Sequence, residues 1–183
     1  MHKTGLPGSP TKEALLAQLV RVNQAGEFGA KRIYEGQIAV LKHAPCAQDI
    51  IHMAAQEEAH LSYFNNELAS RKIRPTALMP VWHVLGYMLG AGTALLGEKA
   101  AMACTVAVEE VIDEHYREQL GMLTQIAPED ASLSAHIEQF RQEELEHRDT
   151  GLRHDALHAP AYALLTGAIK AGSRLAIWLS KRV

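Results

Sequence analysis

Apolar residues recur at helical spacing along four long segments of this chain, and short polar stretches separate the segments. The first segment follows Thr11, a residue type that commonly caps a helix N-terminus. A proline follows each segment shortly after the point where the helical pattern stops. No stretch alternates apolar and polar residues for long enough to predict a buried sheet. The pattern predicts an all-α protein with four long helices, over residues 11–42, 47–71, 98–126 and 131–158.

The connection between the second and third helices, residues 75–97, is unusually apolar. Its part from Leu78 to Gly97 has no charged residue when His83 is neutral, and its length approaches that of a membrane span. Gly86 and Gly90 have the spacing that lets helices approach closely. A true span would separate the two halves of the bundle. We therefore expect a crossover, within a bundle domain of residues 11–160, that lies in or dips into one leaflet.

The tail, residues 161–183, has an amphipathic pattern. Leucines fall on one side of a predicted helix, whereas Lys170, Arg174 and Lys181 fall on another, with Trp178 near the end. A basic amphipathic helix of this kind can lie on an anionic membrane surface. The alternative is a plain fifth helix packed on the bundle. Because the chain also has the apolar crossover, we favour membrane contact as the interpretation of the tail.

Glutamate and histidine residues interrupt the apolar stripes of all four helices. Two Glu-x-x-His motifs occur, and each has another glutamate on the preceding long helix. Residues three apart share a helix face, so each motif can hold one metal ion. A carboxylate in an apolar stripe is costly unless it is paired or metal-bound, and four carboxylates with two imidazoles suit two iron or manganese ions. The predicted ligands are Glu27, Glu57, His60, Glu109, Glu144 and His147.

Two tyrosines follow the single glutamates by about two helical turns. Tyr34 follows Glu27, and the pair His115 and Tyr116 follows Glu109. Such residues either hydrogen-bond to a metal ligand, relay electrons, or simply pack in the core. The remaining glutamates near the motifs point away from the stripes and are expected to be solvated; they are Glu58, Glu143 and Glu146.

Composition limits the remaining classes of function. The net charge of −3 gives no indication of a nucleic-acid partner. Two cysteines cannot build a four-cysteine metal site, and unpaired thiols indicate a reducing compartment. Residues 1–10 resemble neither a signal peptide nor a transit peptide, so we expect a mature cytoplasmic chain with a flexible N-terminus.

Several segments around the predicted ligands resemble the demethoxyubiquinone hydroxylases of ubiquinone biosynthesis. The resemblance extends from about Leu16 to Val183. Its segments are Arg21–Glu27, Gln56–His60, Cys104–Glu110, Phe140–His147, His154–Tyr162 and Ala171–Ser180.

The resemblance implies a ferritin-like bundle that acts as a di-iron monooxygenase on the ring of a polyprenylated quinol. It implies two iron ions per chain on the same six residues, O₂ as co-substrate, and the His115–Tyr116 pair near the metals. Carboxylate-rich sites also accept manganese. An external reductant is needed, and NADH is a candidate, although the chain lacks the dinucleotide fingerprint G-x-G-x-x-G.

The expected partners are the quinol, a membrane surface, and either further copies of the chain or a ubiquinone-biosynthesis complex. The expected location is the cytoplasmic side of a bacterial inner membrane, as a peripheral protein. Two other classes would use similar residues: a soluble ferritin-like iron-oxidising or peroxide-scavenging protein, and a non-catalytic assembly protein. The uncharged crossover and the lack of a four-cysteine module argue against the first class, and the intact ligand set argues against the second.

Overall fold

The computed structural model describes residues 10–183, and all regular secondary structure in this part is helical, without a strand. The predicted all-α class is therefore confirmed. The flexible N-terminus expected over residues 1–10 lies, except for Pro10, outside the described residues. The helices are α1 (Lys12–Leu41), α2 (Ala47–Ser70), α3 (Met79–Leu95), α4 (Glu98–Ile126), α5 (Ala131–Arg153) and α6 (Tyr162–Ser180), with a short 3₁₀ helix at Ala156–His158.

Four of these helices form the predicted bundle. Helices α1 and α2 make one hairpin and α4 and α5 make a second, so that α1 lies beside α4 and α2 beside α5. Their apolar stripes meet in two buried clusters. One contains Phe64, Leu123 and Phe140, and the other contains Met53 and Met102. The candidate metal ligands lie on the same stripes, between these two clusters.

Helix α5 ends earlier than the sequence pattern predicted. The prediction extended to residue 158, but α5 stops at Arg153 and a separate 3₁₀ turn follows. Asp155 has a φ of 61°, in the left-handed region, which breaks the α-helical path. The apolar periodicity continues across this break because Ala156 is again buried, and periodicity alone does not reveal the break.

The apolar crossover contains α3, which packs closely on α1. A Cβ atom at Gly86 would come within 2.9 Å of the Gly29 carbonyl oxygen, and a Cβ at Gly90 would overlap the carbonyl oxygen of Ile33. The Gly86/Gly90 spacing thus permits backbone contact between two helices of one chain. Within residues 10–183, every helix is too short or too polar to cross a membrane.

The tail forms α6, which packs on α4. Lys170 makes an ion pair with Glu110, and an Arg174 Nη2 atom lies 2.8 Å from Glu114 Oε2. Two of the three basic residues assigned from sequence to a membrane surface therefore bind α4. Trp82 Nε1 donates a hydrogen bond of 3.0 Å to Ser180 Oγ and so connects α3 to α6. Helices α3 and α6 together cover the α1/α4 side of the bundle.

Candidate metal centre

All six predicted metal ligands meet in the interior of the bundle. Each helix of the four contributes to the group, and no member is more than 3% exposed. The donor atoms form two sets, in each of which every donor lies within 4.8 Å of the others. Glu57 and Glu144 belong to both sets. The first set adds Glu27 and His60, and the second adds Glu109 and His147.

Many polar atoms of this group are buried without a hydrogen-bond partner. They include both carboxylate oxygens of Glu57 and of Glu144, one oxygen of Glu109, and Nδ1 of both histidines. Unpaired buried polar atoms are rare and costly in proteins, so a cluster of them indicates a binding site for a ligand. Carboxylate oxygens and imidazole nitrogens in this number suit divalent metal ions. The buried Glu/His cluster can therefore bind metal.

The two histidines direct the same ring nitrogen toward the carboxylates. His60 Nδ1 lies 3.2 Å from Glu144 Oε1 and 3.5 Å from Glu27 Oε2. His147 Nδ1 lies 3.2 Å from Glu57 Oε1 and 3.1 Å from Glu144 Oε2. The ring centroids are 6.5 Å apart. Glu144 thus lies between the two histidines, with one oxygen near each.

The pKa values reflect four buried carboxylates in one volume. Burial, followed by the charge of Glu144, raises the pKa of Glu57 and that of Glu109. Burial also acts to raise the pKa of Glu144, but the neighbouring imidazoles of His147 and His60 outweigh it and lower that pKa to about 2. Burial likewise opposes protonation of His60, yet the carboxylates of Glu144 and Glu27 raise its pKa to about 12. Positive charge is therefore favoured between these carboxylates.

Two buried tyrosines hold the carboxylates of the opposite hairpin. Tyr34 on α1 donates a 2.7 Å hydrogen bond to Glu109 Oε1 on α4. Tyr116 on α4 donates in the same way to Glu27 Oε1 on α1. This crossed arrangement follows the internal similarity of the two hairpins. Of the alternatives left open by the sequence, hydrogen bonding to a candidate ligand is what the structure shows for both hydroxyl groups.

The outer nitrogen of each histidine binds a residue that the sequence analysis had not assigned to the site. His60 Nε2 lies 2.5 Å from Glu143 Oε2, and His147 Nε2 lies 3.1 Å from Gln56 Oε1. The expectation that Glu143 is solvated was therefore wrong, whereas Glu58 and Glu146 are exposed as expected. Gln56 and Glu143 each directly precede the first residue of a Glu-x-x-His motif. This shared position was a signal available in the sequence.

His115 is buried but belongs to a neighbouring polar group. Its Nε2 accepts a 2.7 Å hydrogen bond from Gln119 Nε2, and Gln119 also exchanges two hydrogen bonds with Asn23. Burial, followed by the charge of Lys181, lowers the pKa of His115 to about 4. The imidazole is therefore neutral near pH 7, and its described hydrogen bond leads to Gln119, not to one of the six candidate ligands.

An apolar cavity of about 470 Å³ lies on the α1/α4 side of the bundle. Helices α1, α3, α4 and α6 enclose it. Its lining includes Gly26, which precedes Glu27 on α1, and Ile112, which lies one turn after Glu109 on α4. The cavity is thus lined by direct helix neighbours of two candidate ligands.

The sequence profile of the family described as "ubiquinone biosynthesis protein COQ7" matches residues 14–180. The chain belongs to the COQ7 family. This confirms the resemblance drawn from the sequence segments. A relative from Rhodospirillum rubrum, named 3-demethoxyubiquinol 3-hydroxylase, is 55% identical over 97% of this chain and 83% of its own length.

Eukaryotic members of the COQ7 family are similar over nearly the same length. The mouse protein, named NADPH-dependent 3-demethoxyubiquinone 3-hydroxylase, mitochondrial, is 52% identical over 99% of this chain and 84% of its own. The yeast protein, named 5-demethoxyubiquinone hydroxylase, mitochondrial, is 42% identical over 96% of this chain and 81% of its own. The relatives are named as hydroxylases, not as storage or peroxide-scavenging proteins.

Proposed function

We propose that this chain is a di-iron monooxygenase that hydroxylates the ring of a polyprenylated demethoxyubiquinol. The observation that carries the proposal is the buried set of four glutamates and two histidines in a COQ7-family chain. Relatives that are more than half identical to it are named for this reaction. No feature of the described residues favours the iron-storage or peroxide-scavenging alternative over it.

Two iron ions fit the donor set. Glu57 and Glu144 would be available to both ions, because both belong to the two groups of donors. Glu27 and His60 would complete the ligands of one ion, and Glu109 and His147 those of the other. When bound, the iron ions supply the electrons that reduce O₂, so that one oxygen atom enters the ring and the other leaves as water.

The protein's own residues keep this site rigid and dry. Tyr34 and Tyr116 fix the two carboxylates that serve one ion each, Glu109 and Glu27, and thereby limit their rotation. Gln56 and Glu143 hold the outer nitrogens of the histidines, which leaves Nδ1 of each ring facing the metals. The apolar clusters on both sides exclude water, which strengthens the electrostatic interactions within the site.

The apolar cavity is the proposed path for the quinol ring. Its walls carry almost no charge, as a methoxy-substituted ring with an isoprenoid tail requires. Gly26 and Ile112 in its lining are helix neighbours of Glu27 and Glu109, and the ring would reach the carboxylates between them. Its outer end lies between α3 and α6, where Trp82 and Ser180 join the two helices. A substrate that enters there meets the site on the side opposite α2 and α5.

The outer faces of α3 and α6 are proposed to rest on a membrane surface. Large apolar side chains are exposed on both helices, including Met88 at 62% and Leu164 at 76%. Exposed apolar patches of this kind mark interaction sites. Lys170 and Arg174 are paired with α4, so the basic contribution falls to Lys181 and Arg182 near Trp178. Peripheral attachment would place the cavity mouth against the bilayer that holds the quinol.

This attachment can be tested by flotation with anionic vesicles. Met88→Asp on α3 should reduce the bound fraction, because a carboxylate is costly in the interfacial region. Ile51→Asp is the matched control, since Ile51 is also exposed, at 44%, but lies on α2. Equal binding by the two variants would contradict the proposed orientation.

The electron donor is proposed to be an external reduced nicotinamide nucleotide, as the name of the mouse relative suggests. The chain has no dinucleotide fingerprint, so the donor would use a site of another type or a partner protein.

A quinone profile of cells lacking the protein tests the proposed reaction. Accumulated demethoxyubiquinone that disappears when the wild-type gene is restored, but not when Glu144→Ala is restored, is the expected result. A normal quinone profile with disturbed cellular iron would instead favour a storage role.

A further inference from the structure

A second cavity reaches the candidate metal centre from the side opposite the apolar one. It is a cleft of about 290 Å³ between α2 and α5. Its lining is polar and is supplied by both helices: Asp49, His52, Met53, Gln56, Glu146, His147, Asp149, Thr150 and Arg153. We propose that this polar cleft is the route by which divalent metal ions reach the buried ligands, an inference that rests on the proposed metal centre.

The need for such a route follows from burial. All six candidate ligands are at most 3% exposed, so a metal ion must pass through an opening in the bundle. The apolar cavity is a poor path, because a hydrated divalent ion gains no oxygen ligands between Leu89, Ile33 and Val108. The polar cleft offers carboxylate, amide and hydroxyl oxygens along its length, which are the ligands that can replace water step by step.

The floor of the cleft is formed by a candidate ligand itself. His147 is 1% exposed and lines the cleft, while its Nδ1 lies within 3.2 Å of carboxylate oxygens of Glu57 and Glu144 on its inner side. The His147 ring therefore connects the lining of the cleft with the carboxylates. The outer partner of His147 is the uncharged amide of Gln56 at 3.1 Å, whereas His60 is held by the carboxylate of Glu143 at 2.5 Å. A hydrogen bond to an amide oxygen is weaker than one to a carboxylate, so His147 is the histidine that rotates aside more readily.

Among the carboxylates at the mouth of the cleft, Glu146 is the one best placed to attract cations. Asp49 contacts His154, and the charge of Asp149 is partly balanced by Arg148, so both carboxylates already have a side-chain partner. Glu146 is exposed and, within residues 10–183, makes no ion pair. Arg153, the one arginine in the lining, donates a hydrogen bond to Thr150. Glu146 is therefore the carboxylate available to attract an incoming ion.

Anaerobic uptake of Fe²⁺ by the metal-free protein tests the route. Unbound iron is quenched with a chelator at successive times, and bound iron per chain is counted. Glu146→Lys should slow uptake by about three- to tenfold at low ionic strength, because charge reversal at a cleft mouth repels the ion. The difference should shrink as salt is added. The final content should remain two ions per chain, because no ligand is altered.

Two control variants make the result specific. Glu118→Lys changes the same charge at an exposed position of α4 outside the cleft, and Ala176→Phe narrows the apolar cavity. Both should take up iron at the wild-type rate. The route is overturned if Glu146→Lys takes up iron at that rate, if Glu118→Lys is slowed equally, or if Ala176→Phe is slowed. Wild-type protein that binds no iron at equilibrium would instead refute the metal centre itself.

Discussion

The contact between Glu143 and His60 predicts an unequal effect on the two metal ions. Glu143→Gln keeps the size of the side chain and an oxygen that can accept from His60 Nε2, but it removes the negative charge. The outer contact, 2.5 Å long in the present protein, then becomes a neutral hydrogen bond. The ring of His60 remains in place while its basicity falls.

The magnitude follows from the change in bond type. Hydrogen bonds to charged groups contribute about 1.5–3 kcal/mol and neutral ones about 0.5–1.5 kcal/mol, so about 1 kcal/mol should be lost. This corresponds to a roughly fivefold weaker affinity for one ion. Because Gln56, already neutral, holds His147, the second ion should be bound as in the wild type.

The assay is an anaerobic equilibrium titration with Fe²⁺ against a competing chelator, fitted with two affinities. Glu138→Gln is the matched control, because Glu138 lies on the same helix but pairs with Arg141 at the surface. A role for Glu143 in holding His60 is ruled out if Glu143→Gln leaves both affinities unchanged, or if Glu138→Gln causes the same loss.

Three further predictions concern packing, substrate access and pH. Gly90→Ala should destabilise the protein by about 1–3 kcal/mol in chemical denaturation, because the new Cβ overlaps the Ile33 carbonyl oxygen and forces α3 away from α1; Gly92→Ala has nothing within 4 Å and should be tolerated. Ala176→Phe should raise KM for the quinol with iron content unchanged, and an unchanged KM would argue against the apolar path. Burial and Lys181 lower the pKa of His115 from 6.5 to about 4, so the imidazole takes up a proton in the unfolded chain before it does in the folded one. The free energy of unfolding should therefore fall by about 3 kcal/mol as the pH decreases from 6.5 to 4. His115→Asn should remove this pH-dependent loss, and an unchanged plot of stability against pH would contradict the lowered pKa.

The sequence was sufficient for the parts of the structure that depend on helix periodicity. The four long helices and the convergence of Glu27, Glu57, Glu109 and Glu144 follow from spacing along each helix, because residues three or four apart share a face. The carboxylates and imidazoles can meet in one cluster only when the four helices pack side by side as a bundle. The bounds of α1, α2 and α4 were close to the prediction for the same reason.

The contacts between helices were harder to predict. Whether Glu143 reaches His60 depends on how far α5 is rotated against α2, and this rotation is set by packing of whole helix surfaces. The crossed hydrogen bonds of Tyr34 and Tyr116 depend in the same way on the distance between α1 and α4. Helix α6 packs on α4 through buried Ile169 and through ion pairs with Glu110 and Glu114, contacts with another helix that no local pattern in the tail predicts.

A single-turnover experiment with labelled oxygen tests whether this chain is a di-iron quinol hydroxylase. Protein loaded anaerobically with two Fe²⁺ ions per chain is mixed with demethoxyubiquinol and ¹⁸O₂, and the product is analysed by mass spectrometry. The expected product is a hydroxylated ring that carries one ¹⁸O atom, and Glu144→Ala should not form it. An unlabelled hydroxyl group, or iron oxidation without any ring product, would contradict this function.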